Sequence, residues 1–253
     1  MPSSGPGPAT EPFLTLSISH RIGRLHLEVK FELRHRWTIL FGPSGSGKTT
    51  ILRTLSGLTA PKSGRIVAQD AGERTLLLDT AQAVNIPAHL RRTPLAPQAP
   101  NLFPNLTVRE NLEFGNGAHP DPGMLETFEL TQLLNQLPRQ LSGGEAQRVN
   151  LARAAAYANP RLLLLDEPFT GLDLPLRSSL VDHMLAWQQR TGVPILSVTH
   201  DVAEAFHIGA EVIRLADGRV AAQGTAAEVL SEERERLFRQ LAIPASGSGL
   251  AKG

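Results

Sequence analysis

The stretch Gly42 to Thr50, GPSGSGKTT, carries the strongest chemical signal in the chain. A glycine, four residues and then Gly-Lys-Thr stand between a strand-like apolar run and a helix-like segment. Glycines let such a loop curl so that successive backbone N–H groups point inward at phosphate oxygens. The helix that follows offers its positive N-terminal end to the same anion. Gly42, Pro43, Ser44, Gly45, Ser46, Gly47, Lys48, Thr49 and Thr50 are therefore candidate nucleotide-binding residues. Lys48 adds a mobile charge for the β- and γ-phosphates, and the Thr49 hydroxyl can ligate Mg²⁺. Without its flanks the motif would be a glycine-rich turn and nothing more.

Two further segments carry carboxylates or anion-binding amides. The run LLLLDE ends in Asp166 and Glu167. A buried strand that ends in an acid places a carboxylate at the carboxyl edge of a parallel sheet, where ligands bind in such folds. Asp166 there suits the shell of Mg²⁺. Glu167 suits a base that orients or deprotonates an attacking water. On its own the run reads as a strand end with solvated charges. In LSGGEAQRVNLARA, from Leu141, the residues Ser142, Gly143 and Gly144 open a helix and form a second potential anion site. The plain alternative is a capping box, Ser142 with Glu145 three residues later. One chain thus offers two phosphate-binding helix starts, while each nucleotide has one triphosphate. Two copies facing head to tail would resolve that mismatch.

The elements that must hold these residues can be read from periodicity. Phe13–Ile18 looks like a short strand, and Leu25–Leu33 alternates apolar and polar residues as a half-buried strand does. Trp37–Phe41 is a short apolar strand that enters the glycine loop, and a helix is expected from about Gly47 to Leu58, closed by Pro61 and Gly64. A strand is expected at Leu76–Leu78, two or three helical patches over 107–140 around the loop at 115–123, and a long helix over Ser142–Ala158. Leu162–Leu165 and Ile195–Val198 are bare apolar runs that need burial on both faces, with a helix at about 174–190 between them. Two strands (211–215 and 219–223) and an amphipathic helix (231–242) finish the chain. Strands alternating with helices imply an α/β fold, with 107–140 as a helical insertion.

Composition narrows the function classes. The 253 residues hold 25 Lys and Arg against 24 Asp and Glu, a net charge of +1, which gives no support to a strongly basic nucleic-acid binder. Cysteine is absent, so disulfides, thiolate metal sites and a cysteine nucleophile are excluded. No apolar run approaches the roughly 18 residues that span a bilayer, and the first twelve residues do not read as a secretory signal. Work at a membrane would then need another subunit to hold this one there. Residues 1–12 and 243–253 read as disordered tails.

With these motifs in this order, the chain resembles the ATP-binding subunit of ATP-binding-cassette (ABC) transporters over about 13–242. The resemblance adds a glutamine loop at Gln98, a D-loop at Thr170–Asp173 and a switch histidine at His200. It implies a P-loop NTPase core with a mostly parallel sheet flanked by helices, an N-terminal antiparallel β subdomain and a helical subdomain at about 100–158. It implies ATP hydrolysis with Glu167, His200, Gln98 and Lys48 as catalytic residues. Ser142, Gly143, Gly144 and Asp173 would serve the nucleotide of a second copy, and Thr49, Gln98 and Asp166 would lie around Mg²⁺. By the same resemblance the cofactors are ATP and Mg²⁺. The partners are a second cassette, integral membrane permease subunits and, indirectly, an extracytoplasmic substrate-binding protein, with no nucleic acid. The location implied is the cytoplasmic face of the plasma (inner) membrane.

One segment departs from the family. Many members stack an aromatic residue on adenine about two dozen positions before the P-loop, whereas Ser17–Gly23 reads SISHRIG, leaving His20 or Ile22 to pack on the base. That non-aromatic register, with NLFPNLTVRENLEFG (101–115) and GLDLPLR (171–177), resembles molybdate importer ATPases. The chain ends before the C-terminal oxyanion-binding domain that many of those carry. Importers of sulfate, sugars or other cargo are the alternative, and then a soluble ABC protein acting on nucleic acid or ribosomes. The latter lacks support from any heptad run or second cassette. Outside the resemblance, Gln98 is an ordinary loop residue, His200 a strand-end histidine and Asp173 a helix cap. Arg91 and Arg92 read as a solvated basic pair, Leu237, Phe238 and Leu241 as the packed face of the last helix, and Trp37 and Trp187 as packing residues.

Overall fold

The computed structural model describes residues 11–70, 73–114 and 120–241. The tails expected at 1–12 and 243–253 lie outside the described residues but for Glu11 and Pro12, and the loop at 115–123 is described only from Pro120.

Alternation of apolar residues builds the first layer. Strands β1 (Leu14–Ile22) and β2 (Leu25–Leu33) form a hairpin that buries Leu14, Leu16, Ile18, Leu27, Val29, Phe31 and Leu33 on one face. After β3 (Trp37–Phe41) and α1 (Lys48–Leu55) come β4 (Ser63–Asp70), β5 (Glu73–Asp79) and β6 (Val84–Asn85). These complete an antiparallel sheet in the order β2-β1-β4-β5-β6. Strand β4 takes up Gly64, which the sequence assigned with Pro61 to a helix stop. Its only fully buried apolar residues, Ile66 and Ala68, alternate too briefly to announce a strand. The preceding helix ends earlier than expected, at Leu55. Gly57 (φ +79°) turns the chain out of it, and the Leu58 N–H bonds the Arg53 carbonyl at 2.9 Å.

The second layer is α2 (Ala88–Arg91), β7 (Leu95–Ala96), α3 (Val108–Glu113), α4 (Pro122–Thr127), α5 (Gly143–Ala155), β8 (Leu163–Asp166), α6 (Leu174–Thr191) and β9 (Ile195–Thr199). It closes with α7 (Val202–Ile208), β10 (Glu211–Ala216), β11 (Arg219–Thr225), α8 (Ala226–Val229) and α9 (Ser231–Leu241). The sheet order is β11-β10-β3-β9-β8-β7, with β10 through β7 parallel and β11 antiparallel at one edge. The central strands are covered on both sides. Ile39, Leu163, Leu165 and Ile195 face a core shared with the helices α3 to α8, while Leu40, Leu164, Leu196 and Val198 face a core shared with α1 and the antiparallel sheet. The chain is therefore an α/β fold with a helical segment between β7 and β8. Helix α7, absent from the sequence expectations, is announced by Asp201, whose carboxylate accepts the N–H groups of Ala203 and Glu204.

Two surface expectations need correction. Arg91 is fully buried. Its guanidinium donates to the carbonyls of Thr54 (2.6 Å), Leu55 (3.1 Å) and Ile86 (2.7 Å) and to Asn85 Oδ1 (2.7 Å). It thus sits on the negative C-terminal end of α1, where a cation is favoured. Gly57 makes the room, since a Cβ there would lie 2.8 Å from Arg91 Nε. Arg92, half-buried, donates to the Asn159 carbonyl. Helix α9 does not pack through its aromatic, for Phe238 is 61% exposed. It docks through Glu233 on Arg214 and through Arg234 over the Phe206 ring. Both tryptophans are buried, and Trp37 Nε1 donates to Ser197 Oγ.

Arg91→Leu strips four acceptors of their donor inside the protein. The variant is expected to lose roughly 2–4 kcal/mol of stability. A urea titration checks this as a lower midpoint at unchanged slope.

Candidate active site

Parallel pairing levels the ends of four neighbouring strands. Phe41 pairs with Thr199, Val198 with Asp166, and Leu165 with Ala96. The next residues of each strand or loop are the glycine loop at 42–47, His200, Glu167 and, two past β7, Gln98. All therefore emerge at one carboxyl edge of the sheet, the place where open α/β sheets bind ligands.

The glycine loop wraps its own lysine. Lys48 Nζ donates to the carbonyls of Gly42 (2.7 Å) and Pro43 (2.9 Å) and is itself buried. Burial pushes the ammonium below its usual pKa, while Glu167 and Asp166 pull the other way. Gly47 caps α1 at φ +102°, a left-handed value that favours glycine, and a Cβ there would lie 2.6 Å from Leu27 Cδ1 and force that side chain to shift. The first N–H groups of that helix have no carbonyl one turn back. The Ser46 hydroxyl is buried with no partner. These free donors, with the lysine, make a cradle suited to an anion. It opens on a cleft of about 440 Å³ lined by Ile22, Leu25, Ser44, Gly45, Gly47, Lys48, Thr49, Thr50 and Glu167. Of the two residues expected to replace an aromatic, Ile22 lines this cleft and His20 does not.

Thr49 Oγ1 donates to Asp166 Oδ1 at 3.3 Å, across from the end of β8. Burial pushes the Asp166 carboxyl up, and the Thr49 bond opposes the shift. Glu167 gathers three neighbours onto Oε2: Gln98 Nε2 at 3.1 Å, Thr170 Oγ1 at 3.2 Å and His200 Nδ1 at 3.4 Å. Glu167 also holds φ +46°, a left-handed value uncommon for a residue with a side chain. Its N–H is tied to the Val198 carbonyl at 3.0 Å, so the surrounding sheet imposes this conformation. Thr170 was expected only as the start of the D-loop, and its hydroxyl contact could not be read from spacing.

Ser142, Gly143, Gly144 and Asp173 do not line the cleft. Ser142 caps α5 in the capping box expected of it, with its Oγ accepting the Glu145 N–H and its own N–H bonded to Glu145 Oε2. These bonds hold the Glu145 carboxyl below its ordinary range. Asp173 caps α6 by accepting the Leu176 N–H at 2.9 Å, and the next residue, Leu174, is 72% exposed. Both caps present their loops to solvent. Among the described residues no group of three or more His, Asp or Glu could hold a metal ion by itself. Thr49 and Asp166 supply two hard oxygens. That suits Mg²⁺, which binds through one or two protein oxygens, substrate phosphates and water.

A family profile described as ABC transporter matches residues 27–170. A molybdenum import ATP-binding protein of Rhizobium etli is 37% identical over 225 residues, 86% of this chain and 62% of that protein. An Fe(3+) ions import ATP-binding protein of Mesorhizobium japonicum is 39% identical over 84% of this chain and 60% of its own length. The chain therefore spans about three fifths of these relatives. An ATP-binding cassette solved as a dimer in a post-hydrolysis state with ADP and Pi superposes with a TM-score of 0.67. It is 27% identical and covers 84% of this chain and 98% of its own.

Beneath the His200 turn lies a buried acid that spacing did not reveal. Glu204 is only 6% exposed, accepts the Thr199 hydroxyl at 3.1 Å and leaves Oε1 without a partner. Burial pushes its carboxyl from 4.5 up to about 7, against the pull of the Thr199 bond. The folded protein then keeps a proton that the unfolded chain has released, so this contribution to stability falls as pH rises from 4.5 to about 7 and stays flat above. Glu204→Gln removes the slope. The variant is expected to exceed the parent by roughly 1–3 kcal/mol at pH 8 and to match it near pH 4. Urea titrations at the two pH values check the difference.

Proposed function

The chain belongs to the ABC transporter family, and on that premise we propose that it is the ATP-hydrolysing subunit of an importer for molybdate or a related oxyanion. The observation that carries the hydrolytic part of this reading is the gathering of Lys48, Thr49, Asp166, Glu167, Gln98 and His200 at one sheet edge, while the exposed Ser142 loop does not line the cleft. The likeness to a molybdenum import ATP-binding protein supports the cargo. The ATPase unit runs from 13 to 242, with its helical insertion at about 100–158.

In this reading the triphosphate lies in the 42–50 loop, its oxygens met by backbone amides, the Ser46 hydroxyl and the Lys48 ammonium. The base rests on Ile22 and Leu25, an aliphatic surface rather than an aromatic one. Thr49 and Asp166, together with Gln98, would hold Mg²⁺, which when bound would neutralise charge at the phosphates. Glu167 takes a proton from the attacking water as its oxygen bonds to the γ-phosphorus. The bond to the bridging oxygen breaks, and ADP and phosphate leave. Gln98, Thr170 and His200 hold the Glu167 carboxylate in place for this transfer.

The γ-phosphate is completed by a second copy. Ser142, Gly143 and Gly144 of that copy meet it, and Asp173 crosses the contact beside the exposed Leu174. The dimeric relative caught with ADP and Pi supports this arrangement. Among the described residues no helix is long and apolar enough to cross a membrane. The likeness to import ATP-binding proteins supports work with separate permease subunits at the cytoplasmic face. An extracytoplasmic binding protein would deliver the cargo. The likeness to an iron importer's subunit supports a second reading in which the cargo is another inorganic ion. Uptake of radiolabelled molybdate against ferric ion, by vesicles carrying the assembled transporter, separates the two.

Glu167→Gln keeps the nucleotide pocket and removes the proton acceptor. Phosphate release is expected to fall by at least about 100-fold. ATP should still bind and should drive the variant into dimers on gel filtration. Turnover at the parent rate would overturn the assignment of Glu167.

A further inference from the structure

Helix α5 is capped by Ser142, and two of its buried side chains reach the loops that follow β8 and β7. Gln147 and Asn150 are three residues apart, so they share one face of the helix. Gln147 Nε2 donates to the Pro168 carbonyl at 2.6 Å, and Asn150 Nδ2 donates to the Pro97 carbonyl at 2.9 Å. Pro168 follows Glu167, and Pro97 precedes Gln98. Glu167 and Gln98 are the pair that bond each other at 3.1 Å. One helix face therefore grips the backbone beside both members of that pair.

The cost of these contacts marks them as more than packing. Gln147 is 4% exposed and Asn150 fully buried, and the remaining amide oxygen of each is buried without a partner. A half-satisfied buried amide is penalised where an apolar residue of the same shape can be neutral. What each amide adds is a fixed direction for one carbonyl.

We infer that Gln147 and Asn150 are positioning residues for hydrolysis, holding Glu167 and Gln98 in register through Pro168 and Pro97. The inference rests on the reading of the chain as an ATPase that closes with a second copy. Under that reading it has a consequence. The same helix presents Ser142 to the partner's nucleotide and steadies the base at its own, so each site feels the other's occupancy through α5.

Gln147→Met and Asn150→Leu keep the volume and remove the donors. ATP hydrolysis per bound nucleotide is measured beside equilibrium ATP binding, well below each variant's melting temperature. Each variant is expected to lose about 3- to 10-fold in kcat, with the dissociation constant for ATP changed by less than about twofold. In a Gln98→Ala background, Asn150→Leu should lower kcat no further, because its effect runs through Gln98. Parent-like kcat in either folded variant overturns the inference, as does an equal loss with and without Gln98. Should Asn150→Leu not fold, Asn150→Ala carries the same comparison without added volume. A parent chain that binds no ATP would instead overturn the functional reading and this one with it.

Discussion

Everything at the site depends on parallel hydrogen bonding between β3, β9, β8 and β7. In a sheet of that kind neighbouring strands lie about 4.8 Å apart and run the same way. Four segments far apart in the chain, at 42, 98, 166 and 200, are thereby delivered to one edge. The strands can do this because they are buried on both faces, and a bare run such as Leu162–Leu165 is the sequence form that burial takes. A one-residue slip of β8 would exchange the cores its leucines face and carry Asp166 away from Thr49. Register is thus a constraint on the chemistry as much as on packing.

A second constraint acts on backbone carbonyls. Arg91 closes the C-terminal end of α1, so the helix whose N-terminus faces the cleft is anchored at its other end by a buried cation. Gln147 and Asn150 close two more carbonyls beside Glu167 and Gln98. In each case a buried polar side chain reaches an element distant in sequence and donates to its main-chain oxygen. Such bonds direct the backbone without demanding any particular side chain from the element they hold.

Much of the site was legible because its residues sit where chain direction changes. Gly42–Thr50, Asp166–Glu167 and Ser142–Glu145 each combine a periodic element with a cap or glycine, and both signals are local. Strand β3 and strand β2 matched their expected limits for the same reason. What escaped was non-local. Arg91 looks like one half of a basic pair until the carbonyls of α1 are brought beside it. The Gln147 and Asn150 contacts likewise join residues far apart in the chain. The Thr170–Glu167 and Thr199–Glu204 contacts are short in sequence but depend on turns that the sheet edge imposes. Helix α7 is different, since Asp201 followed by Glu204 is a cap written locally in the sequence. Phe238 misled because an amphipathic pattern specifies a face and not its partner.

The lysine folded back onto the carbonyls of Gly42 and Pro43 bears on how a ligand is captured. A free lysine forfeits up to about 2 kcal/mol of rotamer entropy when an anion immobilises it. Here that loss has been incurred on folding, by bonds within a single turn of chain. An anion entering the cradle would meet a charge whose rotamers the fold has already restricted.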